Sequence, residues 1–147
     1  MKVITLPDPR LRLRAKKISL TKLAEPKFQR FILDLAKIMK TDQGIGIAAP
    51  QVAESVRLMI VEVDGGPMPF VNPQILWKSI RQEVGEEGCL SVPGVYGLVK
   101  RARQLLLTYQ EPSGKRKNLR AKGLLARVLQ HEIDHLNGIL FIDRMIK

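Results

Sequence analysis

The chain has 147 residues, 45% hydrophobic, 27% charged and 5% aromatic, and its single cysteine, Cys89, excludes an intrachain disulfide and fits a reducing compartment. No stretch approaches the roughly 20 apolar residues of a membrane span, and the opening Met1–Asp8 lacks the sustained apolar core of a secretory signal. Lysine and arginine number 25 against 14 acidic residues, a net charge of +11 that fits either an anionic partner or a solvated cationic surface.

No repeat, low-complexity block or long linker divides the chain, so residues 1–147 read as one domain. The segment to Leu20 carries Pro7-Asp8-Pro9 and is expected to be extended or turn-like. Phe28, Phe31, Ile32, Leu35, Ile38 and Met39 recur at helical spacing and predict a helix from Phe28 to Lys40. Arg57 to Val63 is rich in β-branched residues and ends at Asp64-Gly65-Gly66, which predicts a strand and a turn. Phe70-Val71, Gln74–Trp77, Tyr96–Val99 and Leu105–Tyr109 are further strands, and Pro112-Ser113-Gly114 is another turn. A last helix runs from about Ala121 to Leu136 and stops at Asn137-Gly138. A helix, a run of strands and a second helix predict an α+β fold. Its antiparallel or mixed sheets pack around the C-terminal helix.

That helix carries His131-Glu132-Ile133-Asp134-His135, which holds the only two histidines of the chain. Histidines four apart lie on one helix face, so both rings can reach one metal, and Glu132 can serve as base to a water there. At about 100° per residue, Leu124, Val128, His131, Glu132 and His135 share one arc. Leu125, Leu129, Ile133 and Leu136 form the adjoining core stripe. Arg127, Gln130, Asp134 and Asn137 face away, towards solvent. A tetrahedral catalytic site needs one more protein ligand. The 12 residues after His135 contain Asp143 and no histidine, so the ligand is sought upstream. Cys89, in Glu86-Glu87-Gly88-Cys89-Leu90-Ser91, is the candidate, because Gly88 lets the backbone approach a metal closely. A buried cysteine acting as a small hydrophobe is the alternative. The segment Gly44-Ile45-Gly46-Ile47-Ala48-Ala49-Pro50-Gln51 is neither a dinucleotide fingerprint nor a P-loop. Its small residues predict close backbone approach. Gln51 either donates into the site or sits exposed on a packed loop.

Taken together, the three segments resemble the peptide deformylase family. Gly44 to Gln51 matches G-hydrophobic-G-hydrophobic-A-A-x-Q, Glu87 to Ser91 matches E-G-C-hydrophobic-S, and His131 to His135 matches H-E-x-x-H. The resemblance runs from about Ile4 to Arg144 and includes Pro7-Asp8-Pro9-Arg10. It implies Cys89, His131 and His135 as metal ligands and Glu132 as general base and acid. The Gln51 amide and the Leu90 backbone N–H become oxyanion donors, and Ile45, Gly46, Leu124 and Val128 line a pocket for methionine. It implies ferrous iron in the cell, with zinc or nickel as further metals. The substrate implied is the N-formyl group on the starting methionine of nascent peptides. The implied setting is a monomer, free of membranes, in bacterial cytoplasm, with a bacterial or bacteriophage source favoured over an organelle.

The chain also departs from the pattern. Tyr96 stands where many bacterial members carry arginine, as in the organellar and related subtype. Arg127 replaces an apolar residue common near the pocket and is expected to point outward. The chain ends at Lys147, without the longer C-terminal helix that contacts the ribosome in some relatives. Nine basic residues and one acid between Lys100 and Arg127 therefore make the turn at Lys115, Arg116 and Lys117 a candidate for weak ribosome attraction. Two other readings make different predictions. A zinc endopeptidase would use a third ligand other than Cys89. A basic RNA-binding protein with a vestigial site would bind RNA tightly and with strong salt dependence, and a metallated sample would not deformylate.

Overall fold

A computed structural model describes residues 1–147. After an N-terminal segment that is irregular but for a 3-10 turn at Pro9–Arg12 come a short helix α1 (Leu20–Leu23) and the long helix α2 (Pro26–Thr41). Seven strands follow, β1 (Gly46–Ala48), β2 (Leu58–Val63), β3 (Gly66–Lys78), β4 (Gln82–Cys89), β5 (Val92–Ala102), β6 (Gln104–Gln110) and β7 (Arg116–Lys122), and then helix α3 (Gly123–Leu136). Five strands form one sheet in the order β1-β2-β3-β6-β7, and β4 and β5 form a two-stranded ribbon. Every strand pairing is antiparallel. The architecture is the α+β fold expected, with the last helix at its centre.

The large sheet is buried on both faces. Leu58 and Ile60 meet Phe28, Ile32, Leu35 and Met39 of α2. Met59 and Val61, between and beyond them, join Phe70, Leu105, Leu107 and Tyr109 against Ala126, Leu129, Ile133 and Leu136 of α3. This is why β2 reads as a continuous apolar run instead of an alternating one. Asp64 and Gly65 both take positive φ and close the β2–β3 hairpin in two residues.

The structure corrects several expected boundaries. Phe70-Val71 and Gln74–Trp77 belong to one strand, β3, bent by irregularities between Val71 and Gln74 and between Ile75 and Trp77. Ala121 and Lys122 end β7, and α3 begins at Gly123, whose φ of +62° turns the chain from strand to helix. No strand is expected from the sequence over β4, and β1 and β7, though a strand edge near Gly44–Ile47 and a hairpin at Lys115–Lys117 are expected, are given no bounds by it.

The face of α3 expected to meet solvent is buried instead. Gln130 and Asp134 are almost wholly covered by the β4–β5 ribbon. Gln130 accepts from the Ala102 N–H at 3.1 Å and donates to the Ala102 carbonyl at 2.9 Å, so it extends the ribbon's edge bonding onto the helix. Arg101 reaches Asp134 at 2.6 Å. Polar periodicity marked this face as distinct from the core stripe, but its partner is protein, not water. Helix α3 is thus held between the large sheet and the ribbon, and the ribbon's hairpin end, Cys89 to Val92, comes over the histidine arc.

Candidate metal centre

His131 and His135 sit one turn apart on α3, their ring centroids 5.1 Å from each other. Cys89 is the last residue of β4, where Leu90 and Ser91 turn the chain into β5. This turn brings Cys89 Sγ to 3.3 Å from His135 Nε2, and one donor from each of Cys89, His131 and His135 lies within 4.8 Å of the others. Neighbouring ligands on a tetrahedral ion with metal–nitrogen bonds near 2.0 Å and a metal–sulfur bond near 2.3 Å stand roughly 3.3–3.7 Å apart. The Cys89–His135 separation matches that range, and the three donors, all within 4.8 Å of one another, can close on a divalent transition metal by an inward shift on the order of 1 Å. Two imidazoles and a thiolate suit iron, nickel and zinc, and three protein ligands leave a position open.

The surroundings orient the His131 ring and hold His135 neutral. His131 Nδ1 bonds Glu87 Oε1 at 2.8 Å, which leaves Nε2 for the site. Burial would lower the His131 pKa, but the adjoining Cys89, Glu87 and Glu132 outweigh it and raise it to about 10. This strong attraction for a cation at the ring is what a metal would satisfy in place of a proton. His135 goes the other way: burial, then repulsion from His131 and Arg101, holds it well below its usual value and keeps it neutral. Glu87 also is buried, which alone would raise it. Bonds from Arg101 and His131 overcome this and hold the carboxyl well below the usual carboxylate range.

Glu132 lies beside the donors, with Oε2 4.0 Å from His131 Nε2. Its Oε1 is buried and has no hydrogen-bond partner, an arrangement that costs free energy unless the atom is used by something that enters the site. Burial raises its pKa to about 7, with His131 opposing and Glu87 adding to the rise.

The polypeptide deformylase family model matches residues 1–147 of this chain. The chain belongs to the polypeptide deformylase family. A peptide deformylase of Dictyoglomus turgidum is 44% identical over all of this chain and 94% of its own length. One from Treponema pallidum is 44% identical over 86% of this chain and 82% of its own. Among solved structures, the peptide deformylase of Thermotoga maritima superposes with a TM-score of 0.95 at 38% identity, covering 99% of this chain and 97% of that one. That of Synechococcus elongatus in complex with actinonin gives 0.94 at 37% identity, covering 100% and 79%. As a deformylase, this chain is a metal-dependent hydrolase that removes the N-formyl group from newly made polypeptides. The three residues Cys89, His131 and His135 form its metal-binding site.

A cleft of about 560 Å³ opens onto the deformylase centre. It is lined by Ile45, Gly46, Gln51, Leu90, Leu124, Val128 and Glu132, so the residues expected from all three motifs meet at one place. Val128 is buried on the inner wall. Ile45 and Leu124 are half or more exposed and stand at the mouth. Gly46 has no room for a side chain, since a Cβ there would lie 2.7 Å from Glu132 Oε2 and 2.9 Å from Val128 Cγ1. Gln51 is buried: its Oε1 accepts from the Ala48 N–H at 2.9 Å. That bond aims Nε2 at Cys89 Sγ, 3.5 Å away, and Ser91 Oγ, 3.3 Å away. The exposed-glutamine alternative is excluded.

One expectation is overturned here. Arg127 does not point outward: it lines the cleft and bonds Glu87 Oε2 at 2.7 Å. The residues that sequence reasoning missed are those around the ligands, namely Glu87 in its role on His131, Arg101 and Arg127. Glu87 lies in the Glu-Gly-Cys segment, but no strand alternation marks it, since β4 carries none and its pairing is irregular between Gly88 and Cys89. Nothing local marked Arg101, which had counted only as surface charge.

Proposed function

We propose that the chain hydrolyses the formyl amide of an N-formyl-methionyl peptide with Glu132 as the proton carrier and Gln51 and Leu90 as oxyanion donors. Cys89, His131 and His135 would hold the metal, for which ferrous iron is the resident ion proposed. When bound, such an ion supplies Lewis-acid polarisation and makes water nucleophilic at neutral pH. Glu132, with a pKa near neutrality, takes a proton from the attacking water and gives it to the departing nitrogen. The bond from water oxygen to formyl carbon forms, the carbon–nitrogen bond breaks, and formate and a free methionyl amine leave. The Gln51 amide, held by its bond to Ala48, and the Leu90 N–H at the ribbon turn donate to the carbonyl oxygen as it gains charge. The methionine side chain enters between Val128 and the Ile45–Leu124 mouth. The peptide backbone aligns with the outer edge of β1, which pairs with β2 on one side only. We place the enzyme in the cytoplasm as a monomer.

The observation that carries this reading is the buried, unpartnered Glu132 oxygen beside a Cys/His/His donor set at the wall of an open cleft. The meeting of Cys89 with both histidines also speaks against the endopeptidase reading, which needs another third ligand. The direct test is formate release from formyl-Met-Ala-Ser by protein purified without oxygen, with its metal counted. Metal at full occupancy with no formate would overturn the reading.

Gln51→Glu separates that residue's two roles. The glutamate keeps an acceptor for the Ala48 N–H but presents an oxygen, not a donor, to the site. Turnover should fall by about 10²–10³ with the fold intact. Turnover within twofold of wild type would remove Gln51 from the oxyanion site.

The basic hairpin is proposed as a weak ribosome contact. Arg101 and Arg127 are bound to Glu87, and Arg103 pairs with Glu83 at 3.2 Å, so those charges are already engaged. Lys115, Arg116 and Lys117 are exposed at the β6–β7 turn. Changing all three to glutamate should reduce co-sedimentation with ribosomes at low salt and leave cleavage of a free formyl tripeptide unchanged. Unaltered co-sedimentation would leave the charge as surface solvation.

A further inference from the structure

Gly85 lies in the middle of β4 opposite Val99, and its φ is not positive, so the backbone there does not demand glycine. The reason for the missing side chain is Arg127. A Cβ at residue 85 would stand 2.9 Å from the Arg127 Cζ and Nε and 3.0 Å from its Nη2. The guanidinium therefore fills the place of the side chain that residue 85 lacks.

From that position Arg127 reaches three acceptors. Nη1 donates to Glu87 Oε2 at 2.7 Å and to the Val99 carbonyl at 3.0 Å, and Nη2 donates to the Glu83 carbonyl at 2.8 Å. The Glu87 carboxylate is then bonded symmetrically. Its Oε1 takes Arg101 Nη2 at 2.9 Å and His131 Nδ1 at 2.8 Å, while its Oε2 takes Arg101 Nε at 2.9 Å and Arg127 Nη1. With two donors on each oxygen, the carboxylate cannot swing or tilt without breaking a charge-assisted bond. The angle of Oε1 sets the angle of the His131 ring, and with it the direction of Nε2.

We propose that Arg127 is a positioning residue for the metal centre, admitted by the absence of a side chain at Gly85, and that it completes the clamp on the carboxylate that orients His131. This rests on the metal-site reading above. The alternative is that Arg127 merely fastens α3 to the β4–β5 ribbon. The two differ in what they move: a fastener changes the melting temperature of the metal-free protein and leaves metal affinity alone.

The test is a double-mutant cycle on zinc affinity, measured by chelator competition, with Arg127→Met, Gly85→Ala and the double variant. Cobalt-substituted spectra report the ligand geometry alongside. Arg127→Met should raise the zinc Kd about tenfold, the low end for loss of a group behind a metal ligand, because Arg101 still holds both oxygens. Gly85→Ala should do the same, since alanine suits the backbone there but displaces the guanidinium. The double variant should match Arg127→Met alone, because the added methyl then has nothing to displace. Wild-type affinity in Arg127→Met, or strictly additive losses in the double variant, would overturn the inference while leaving the metal site standing. Gly85→Ala carries the test by itself if Arg127→Met does not fold, and wild-type affinity in it is equally fatal. Wild-type protein that binds no zinc would overturn the metal-site reading and the inference together.

Discussion

Glu132→Gln should retain its metal and lose turnover by a factor on the order of 10²–10⁴, the usual contribution of a positioned proton carrier. Glutamine has nearly the volume of glutamate, and volume is critical here because Gly46 already lies against the Glu132 carboxylate. None of the three donors to the metal is changed. The fold should tolerate the exchange, since burial already presses Glu132 towards its neutral form and an amide is neutral by nature. What disappears is the ability to accept a proton from water and return it to nitrogen. Metal content by atomic absorption and formate release on the same sample separate the two effects. Near-normal turnover with full metal would take Glu132 out of the mechanism; loss of metal would make it a structural support of the site.

The elements legible in the sequence are those whose signal is local. Helix α2 showed its period because one stripe, Phe28, Ile32, Leu35 and Met39, meets a single apolar surface. The H-E-x-x-H turn of α3 and the Glu-Gly-Cys turn were legible because each packs its chemistry into five residues. Strand β3 reads as two pieces because Pro73 stands between them, and Pro67 and Pro69 hide its start, since a central strand cannot carry prolines freely. The structure shows how it does: residues 66–71 pair with β2 and residues 71–78 with β6, so Pro67 and Pro69 lie where one edge is free, and Pro73 falls at the bend. β4, Gln82–Cys89, carries four charged or amide side chains and two glycines, and no alternation reveals it. It exists because β5 pairs along its whole length.

The same reasoning explains why the metal-holding residues were legible and their supports were not. A ligand set can be recognised from residue type and spacing, because few side chains bind metals. The network behind it consists of ordinary charged residues, Glu87, Arg101, Arg127 and Asp134, that elsewhere would face water. Only the tertiary position of the β4–β5 ribbon buries them together, with Glu87 and Arg101 each about 5% exposed at the side chain. Left half-paired, such a cluster would be destabilising; each carboxylate here has at least two cationic partners.

Removing the sulfur tests the centre most directly. Cys89→Ala deletes one of three protein ligands and leaves the helix, both histidines and Glu132 in place. Structural zinc sites with four protein ligands bind the ion with about 10–16 kcal/mol in all, so one such ligand is worth roughly 3 kcal/mol, about a hundredfold in Kd. Turnover at limiting metal should vanish accordingly. Cys89→Ser is the finer probe. It keeps the volume and an acceptor for the Ser91 N–H, which reaches the sulfur at 3.4 Å, but offers a hard, weakly acidic oxygen in place of a soft thiolate. Metal should bind more weakly than in the wild type and less weakly than in Cys89→Ala. The cobalt-substituted wild type should show a thiolate charge-transfer band that both variants lack. The fold should survive both changes, because Cys89 sits at a turn on the edge of a small cluster with Val92, Leu140 and Phe141, outside the main core. A wild-type cobalt spectrum without the band, or wild-type metal affinity in Cys89→Ala, would show that the sulfur is not a ligand and would reopen the search for the third one.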